Sequence, residues 1–392
     1  MSTAFINGRV LLDAGFAHDR AVIVAGDRIV GVVAHAEVPT AARRVDLDGA
    51  MLVPGFVDVQ VNGGGGVLFN DAQSVDDIRK LAAAHRTFGT TGLLPTLISD
   101  DLDVIAAALE LTSQAIEAEV PGILGVHVEG PFLSPDRRGV HDASKFRALD
   151  EPAFKLLTSL KRGKLLLTLA PETTTPEMIR RLARAGVVIS AGHTNARYWQ
   201  IRAAIDAGLR GFTHLFNAMS PLTGREPGTV GAALEDVHSW CGLIVDGHHV
   251  DPVTMRLALR CKPLDRFMLV TDAMPSVGMA VEHFMLQGRR ITVREGICLD
   301  EAGTLAGSNL SMADAVKNAV RMLEIDLATA VRMASQYPAA FLGLDRHVGR
   351  IAPGYRANLV VADDALTVKS TWIDGKGDIP PERAKPVATQ RT

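Results

Sequence analysis

The sequence predicts a (β/α)₈ barrel of the TIM type, carrying a small β-sandwich built from both chain ends. Two patterns carry that expectation. Between residues 52 and 274, eight short apolar runs alternate with amphipathic stretches of helical period. Both ends instead show short alternating strands broken by Asn-Gly, Gly-Asp and Asp-Gly turn signals. A third observation separates the barrel from a doubly wound sheet, which would explain the alternation equally well: successive runs end in polar groups able to do chemistry, as barrel strands do at their carboxyl ends. The chain has 392 residues, enough for a barrel and an accessory unit.

At the amino end, AFINGRVLLD, RAVIVAGDRIVGVV and RRVDLDGAMLVPG read as strands, and VGRIAPGYRANLVVADDALTVKSTWIDGK does so at the other end. Neither set has enough apolar residues for a core of its own, so the two pair. This places the sandwich in 1–52 and 346–378, the barrel in 53–345, and a loose Pro-rich tail in 379–392. The barrel runs are 52–61, 91–97, 122–130, 164–172, 186–194, 211–219, 241–249 and 266–274. Among the helices between them, SVDDIRKLAAAHRTFG starts at Ser74 as N-cap and stops at Gly89. Likewise TTPEMIRRLARAG has Pro176 in its first turn and Gly186 at its end.

Composition excludes several classes. With 41 Lys+Arg against 44 Asp+Glu, the net charge of −3 argues against a nucleic-acid surface, though not against a local phosphate pocket. The three cysteines, Cys241, Cys261 and Cys298, are isolated and odd in number, which fits a reducing compartment. The first residues lack the basic and apolar regions of a secretory signal, and no apolar run approaches the roughly 20 residues of a membrane span. The expectation is a cytoplasmic protein without nucleic-acid or membrane partners.

The run ends bring Gln60 and Asn62, Glu129, His193, His214, the pair His248/His249, and Asp272 to one mouth. Singly, each has a plain structural reading. Glu129 and Asp272 can be caps, and His193 and His214 can be hydrogen-bonded core residues. His127 lies on Glu129's side but one layer deeper, and reads as a core or supporting histidine. Together, two imidazoles and one carboxylate make a three-ligand site of the catalytic zinc type, with a position left open for water. Asp272 is a poor base toward free water but a competent one toward water activated by a divalent cation.

Two glycine-bearing segments need separate readings. NGGGG (62–66) lacks the lysine and spacing of a phosphate loop, and reads as tight backbone beside the mouth. SPLTGREPGTVGA (220–232) holds one cation, Arg225, in a loop that can project from its own barrel. It either presents the guanidinium to an anion, across a subunit boundary if need be, or is a solvated surface arginine. DGHHV (246–250) places donors at the seventh strand that suit a hydroxyl or phosphate, with one of its two histidines expected to be idle.

PGFVDVQVNG, HVEGPF, SAGHT, THLFNAM, GREPG, DGHHV, VTDAM, TLAGS and GRIAPGYRANLVV, in this order, resemble the N-acetylglucosamine-6-phosphate deacetylases of the amidohydrolase superfamily. The likeness runs from about residue 5 to residue 375. HVEGPF, THLFNAM with GREPG, and VTDAM are its most specific parts. It implies one divalent metal, zinc by preference with iron, manganese or cobalt as alternatives, on Glu129, His193 and His214. Asp272 would be base and then acid, and His141 would donate to the acetamide oxygen. Sugar-phosphate contacts map onto Val140, His141, Asn217, Ala218, Arg225, Asp246, Gly247, His248, His249, Leu305, Ala306 and Gly307. Arg225 would come from the neighbouring subunit of a homodimer.

One position departs from the superfamily pattern. Gln60 and Asn62 stand where many amidohydrolases carry a first-strand histidine pair for a second metal, and neutral amides are weak ligands. This predicts one metal per chain, with the two amides free to bond water or substrate hydroxyls. The implied reaction is hydrolysis of N-acetyl-D-glucosamine 6-phosphate to D-glucosamine 6-phosphate and acetate. The alternatives are an amidohydrolase acting on a cyclic amide or another N-acyl sugar, and a phosphosugar-binding protein without turnover.

Overall fold

The structure is a computed structural model, and residues 2–378 are described. The expected loose tail, 379–392, lies outside the described residues. Eight parallel strands alternate with helices along the chain. They are β1 (Phe56–Val61), α1 (Val75–Arg86), β2 (Thr90–Ile98), α2 (Leu102–Glu117), β3 (Gly125–Glu129), α3 (Glu151–Leu157), β4 (Lys164–Leu169) and α4 (Pro176–Arg184). The second half continues with β5 (Val188–Ala191), α5 (Tyr198–Asp206), β6 (Gly211–Phe212), α6 (Gly228–Glu235), β7 (Trp240–Leu243), α7 (Pro252–Leu259), β8 (Phe267–Leu269) and α8 (Met312–Leu323). The strands neighbour one another in chain order. A parallel bridge between Val61 and Ala273 joins the last strand's end to the first, which closes the barrel.

Local chemistry explains the boundaries. Ser74 caps α1 by accepting from the Asp77 N–H at 3.3 Å, and Gly89 takes up φ +87° beyond its end. Thr175 caps α4, whose first residue is Pro176, and Gly186 follows at φ +89°. Barrel strands are buried on both faces, so they read as continuous apolar runs rather than alternating ones: all nine residues of β2 are buried.

The two chain ends supply two sheets beside the barrel. One runs 28–34, 20–25, 2–6, 43–46, and the other 376–378, 368–373, 359–362, 51–54, 9–12, 15–17. Phe5, Val22, Leu52, Leu359 and Val361 form their shared core, with Phe5 edge-on to Trp372 at 4.9 Å. The apolar run at 52–61 is two strands. Met51–Pro54 pairs with Leu359–Ala362 in the second sheet, two residues past the expected boundary, and Phe56 opens the barrel. Gly55 makes the break, where a Cβ would fall 2.1 Å from the Thr91 hydroxyl.

One unit was not anticipated. Between β8 and α8 lies a four-stranded antiparallel sheet, His283–Leu286, Arg289–Arg294, Ile297–Leu299 and Leu305–Ser308. Its signal was present as two-residue turns, Gln287-Gly288 and Glu295-Gly296, each with positive φ at both positions. That is the turn matching the twist of a hairpin. Among the described residues no helix is long and apolar enough to cross a membrane.

Candidate active site

Glu129 ends β3, while His193 and His214 follow β5 and β6 by two residues each. The backbone does part of the aiming. His193, His214 and Asp272 sit at φ +47°, +35° and +53°, a region that non-glycine residues occupy at a cost. Such strain, held by the packing around it, gathers at sites that need an exact side-chain direction.

The three ligand-type atoms converge. Glu129 Oε1 lies 3.0 Å from His214 Nε2 and 3.3 Å from His193 Nε2, and the two ring nitrogens are 3.1 Å apart. The His193 Nδ1–H donates to the Arg137 carbonyl at 2.9 Å, so its Nε2 presents a lone pair to this point. A tetrahedral ion with bonds of about 2.0–2.1 Å needs ligands about 3.3 Å apart. The donor set, its spacing and its burial fit a divalent metal. Burial opposes the charge on Glu129, yet the His193 and His214 imidazoles beside it hold its carboxyl well below the ordinary range. Its charged form supplies the anion that such an ion would require.

Asp272 follows β8 and is buried. Burial and the nearby Glu129 charge raise its pKa. Asn62 Nδ2 donates to Asp272 Oδ1 at 2.6 Å and Gln60 Nε2 donates to the same oxygen at 3.1 Å. The Gln60 amide also lies 3.3 and 3.4 Å from the two Glu129 oxygens. Both amides thus donate to carboxylates, while Asn62 also lines the cavity and its buried Oδ1 keeps no partner, which leaves that oxygen for water or substrate. His127 is buried one layer below, between Thr96 and Thr168, and burial pushes its pKa down to about 4. It is a neutral supporting residue.

His141 is buried facing the metal-type cluster, its ring 4.4 Å from that of His193. The Ser99 N–H donates to its Nδ1 at 3.3 Å, and the Ser99 hydroxyl lies 2.8 Å from the same atom. Nδ1 therefore carries the lone pair and Nε2 the hydrogen. Burial and the neighbouring His193 hold its pKa well below 6.5, so the ring is a neutral donor.

These groups line a cavity of about 380 Å³ at the carboxyl face, within the range of small-molecule sites. Val140, His141, Asn217, Ala218, His249, Leu305 and Gly307 are in its wall, with Gly303 and Thr304 from the unanticipated sheet. Five expected contacts lie outside the wall. Ala306 is buried behind it, His248 is exposed, Gly247 turns the chain at φ +82°, and Asp246 acts from behind by binding His249 Nδ1 at 2.6 Å. Arg225 is exposed and does not reach this chain's own cavity. A larger cleft of about 810 Å³ opens at the amino-terminal face between Arg86, Glu119 and Arg356, away from these groups.

A barrel with a Glu/His/His cluster and a strand-end aspartate in one cavity defines a metal-dependent hydrolase of the amidohydrolase type. The chain belongs to the amidohydrolase family, whose model matches residues 51–377. Several curated relatives are named deacetylases of acetylated amino-sugar 6-phosphates. It is 46% identical over 331 residues to an N-acetylgalactosamine-6-phosphate deacetylase of Shewanella sp. (strain ANA-3), covering 84% of each chain. It is 36% identical to an N-acetylglucosamine-6-phosphate deacetylase of Haemophilus influenzae, covering 96% of this chain and 99% of that one. Among solved structures, the N-acetylglucosamine-6-phosphate deacetylase from Pasteurella multocida superposes with a TM-score of 0.94 at 35% identity, over 97% of this chain and all of that one.

Proposed function

We propose that the protein hydrolyses the acetamide of N-acetyl-D-glucosamine 6-phosphate, releasing D-glucosamine 6-phosphate and acetate, as a step of amino-sugar metabolism in the cytoplasm. The observation that carries this reading is the convergence of Glu129, His193 and His214 beside Asp272 in one cavity. The relatives' names supply the substrate class.

Glu129, His193 and His214 would hold one divalent metal, zinc by preference. When bound, it supplies Lewis acidity toward the carbonyl and makes water acidic enough to attack at neutral pH. His141 Nε2–H donates to the acetamide oxygen as charge develops there. Asp272 accepts the proton of the attacking water and returns it to the departing nitrogen, the general-acid step that amide cleavage requires. Asn217, Ala218, His249, Leu305 and Gly307 hold the sugar, and Arg225 of a second copy binds the phosphate in a homodimer. The relatives' 6-phosphate substrates and Arg225's exposure outside its own cavity support that last assignment.

A second reading has one specific observation behind it. The 46% identical Shewanella relative is a deacetylase of the C4 epimer, N-acetylgalactosamine 6-phosphate. One experiment tests both: acetate release by stripped and metal-restored enzyme from each epimer, with and without the 6-phosphate. Metal-dependent turnover of phosphorylated N-acetylglucosamine is the expected result. A preference for the galacto epimer reassigns the substrate, and equal rates on unphosphorylated sugars remove the phosphate site.

A further inference from the structure

The polar network around Asp272 assigns a task to the two amides that replace the superfamily's histidine pair. Asn62 Nδ2 and Gln60 Nε2 both donate to Oδ1 of Asp272, at 2.6 and 3.1 Å, and no described residue donates to Oδ2. Gln60 also holds the main chain of the same residue, its carbonyl accepting the Asp272 N–H at 3.0 Å. From the other side, Ser308 N–H donates to the Asp272 carbonyl at 2.8 Å. The left-handed backbone of Asp272 is thus pinned at N–H, carbonyl and one carboxylate oxygen.

Resting on the deacetylase reading, we propose that Gln60 and Asn62 are a positioning pair that fixes the Asp272 carboxylate and reserves Oδ2 for proton transfer. The terminal torsion of an aspartate is broad and nearly two-fold, so an unrestrained carboxylate exchanges its oxygens freely. Two donors on one oxygen remove that freedom. They also draw electron density to Oδ1, which leaves Oδ2 as the available lone pair. Oδ2 takes a proton from the attacking water while the new C–O bond forms. It gives that proton to the amine nitrogen as the C–N bond breaks, so Asp272 ends the cycle unchanged. Neutral amides suit the task because they neither titrate nor compete for the proton, whereas imidazoles would do both. Gln60 adds a link to the metal-binding carboxylate: its amide lies within 3.4 Å of both Glu129 oxygens, so the base and the ligand share one reference point.

The test is a double-mutant cycle with Asp272→Asn, using Asn62→Ala and Gln60→Ala, and near-isosteric Asn62→Leu and Gln60→Met should either alanine variant fail to fold. In the wild-type background each single variant should lower kcat about tenfold or more, with KM within about threefold, since general acid–base groups contribute about 10² to 10⁴-fold. In the Asp272→Asn background the same substitutions should change kcat less than about twofold. Metal content by elemental analysis and product binding by calorimetry should match the wild type. Unchanged kcat, multiplicative losses in the Asp272→Asn background, or metal lost together with activity would each overturn the pair while the function stands. A wild-type enzyme that releases no acetate from any amino-sugar 6-phosphate would overturn the function and the pair with it.

Discussion

At the scale of single residues, the site separates groups by what each can lose. Asp272→Asn keeps an oxygen able to accept from Gln60 and Asn62, so the fold and the metal should survive while proton transfer does not. We expect kcat to fall about 10²–10⁴-fold with metal content unchanged; a loss smaller than about tenfold would remove Asp272 from the base role. His193→Ala and His214→Ala should behave differently. Each removes one of three ligand atoms packed 3.0–3.3 Å apart, so elemental analysis of the purified variants should show lost metal along with lost activity. A variant that retains full occupancy would show that its histidine is not a ligand.

At the scale of elements, the NGGGG segment and α1 form a tight joint rather than a phosphate cradle. The buried His85 of α1 donates from Nε2 to the Gly63 carbonyl at 2.8 Å, and a Cβ on Gly64 would meet that ring nitrogen at 2.7 Å. Burial pushes the His85 pKa down to about 4 from an ordinary 6.5. Since the folded value is the lower one, the unfolded chain binds the proton more tightly. The stability His85 confers is therefore full above pH 6.5 and lost as pH falls toward 4. The loss attributable to this one group between pH 7 and pH 4.5 is roughly 2 kcal/mol. His85→Gln can keep the donor to Gly63 and cannot titrate. Denaturant unfolding at the two pH values should show a smaller pH-dependent loss for that variant than for the wild type. Equal losses would place the acid sensitivity elsewhere.

For the whole molecule, the proposed homodimer makes the sharpest demand. Arg225 stands on an exposed loop, and Leu222 of the same loop is 57% exposed. If Arg225 serves the neighbouring cavity, a mixed dimer of Arg225→Ala and Asp272→Asn chains holds one site with both groups intact. Its activity should recover to roughly a quarter to a half of wild type, whereas each parent dimer stays low. No recovery in a verified mixed dimer would return Arg225 to its own subunit or to solvent. The metal count is a second whole-protein prediction. With the amide donors of Gln60 and Asn62 turned to carboxylates, titration of stripped protein should restore activity fully at one equivalent per chain. A requirement for two equivalents would mean that Glu129 is shared between two ions.

The linear chain by itself determined the barrel, the order of its strands and the identity of the metal-type cluster, because each rests on local signals. A buried strand is a short apolar run, a cap is a Ser or Thr before a helix, and a polar residue ending such a run arrives at the barrel mouth by the geometry of the fold. The hairpin sheet of 283–308 is marked by its Gln-Gly and Glu-Gly turns, but it interrupts the strand–helix rhythm from which the barrel is read. Other features needed three dimensions. That Gly55 divides one apolar run between two sheets follows from its contact with Thr91, 36 residues away. That His249 faces the cavity while His248 faces solvent follows from the bond to Asp246 and the turn at Gly247. The same holds for Gln60 and Asn62. Their amide chemistry is written in the sequence, but the partner of an amide is whatever donor or acceptor the fold brings within about 3 Å. For these two it is Asp272, some 210 positions along the chain and adjacent only because the barrel closes between its first and last strands.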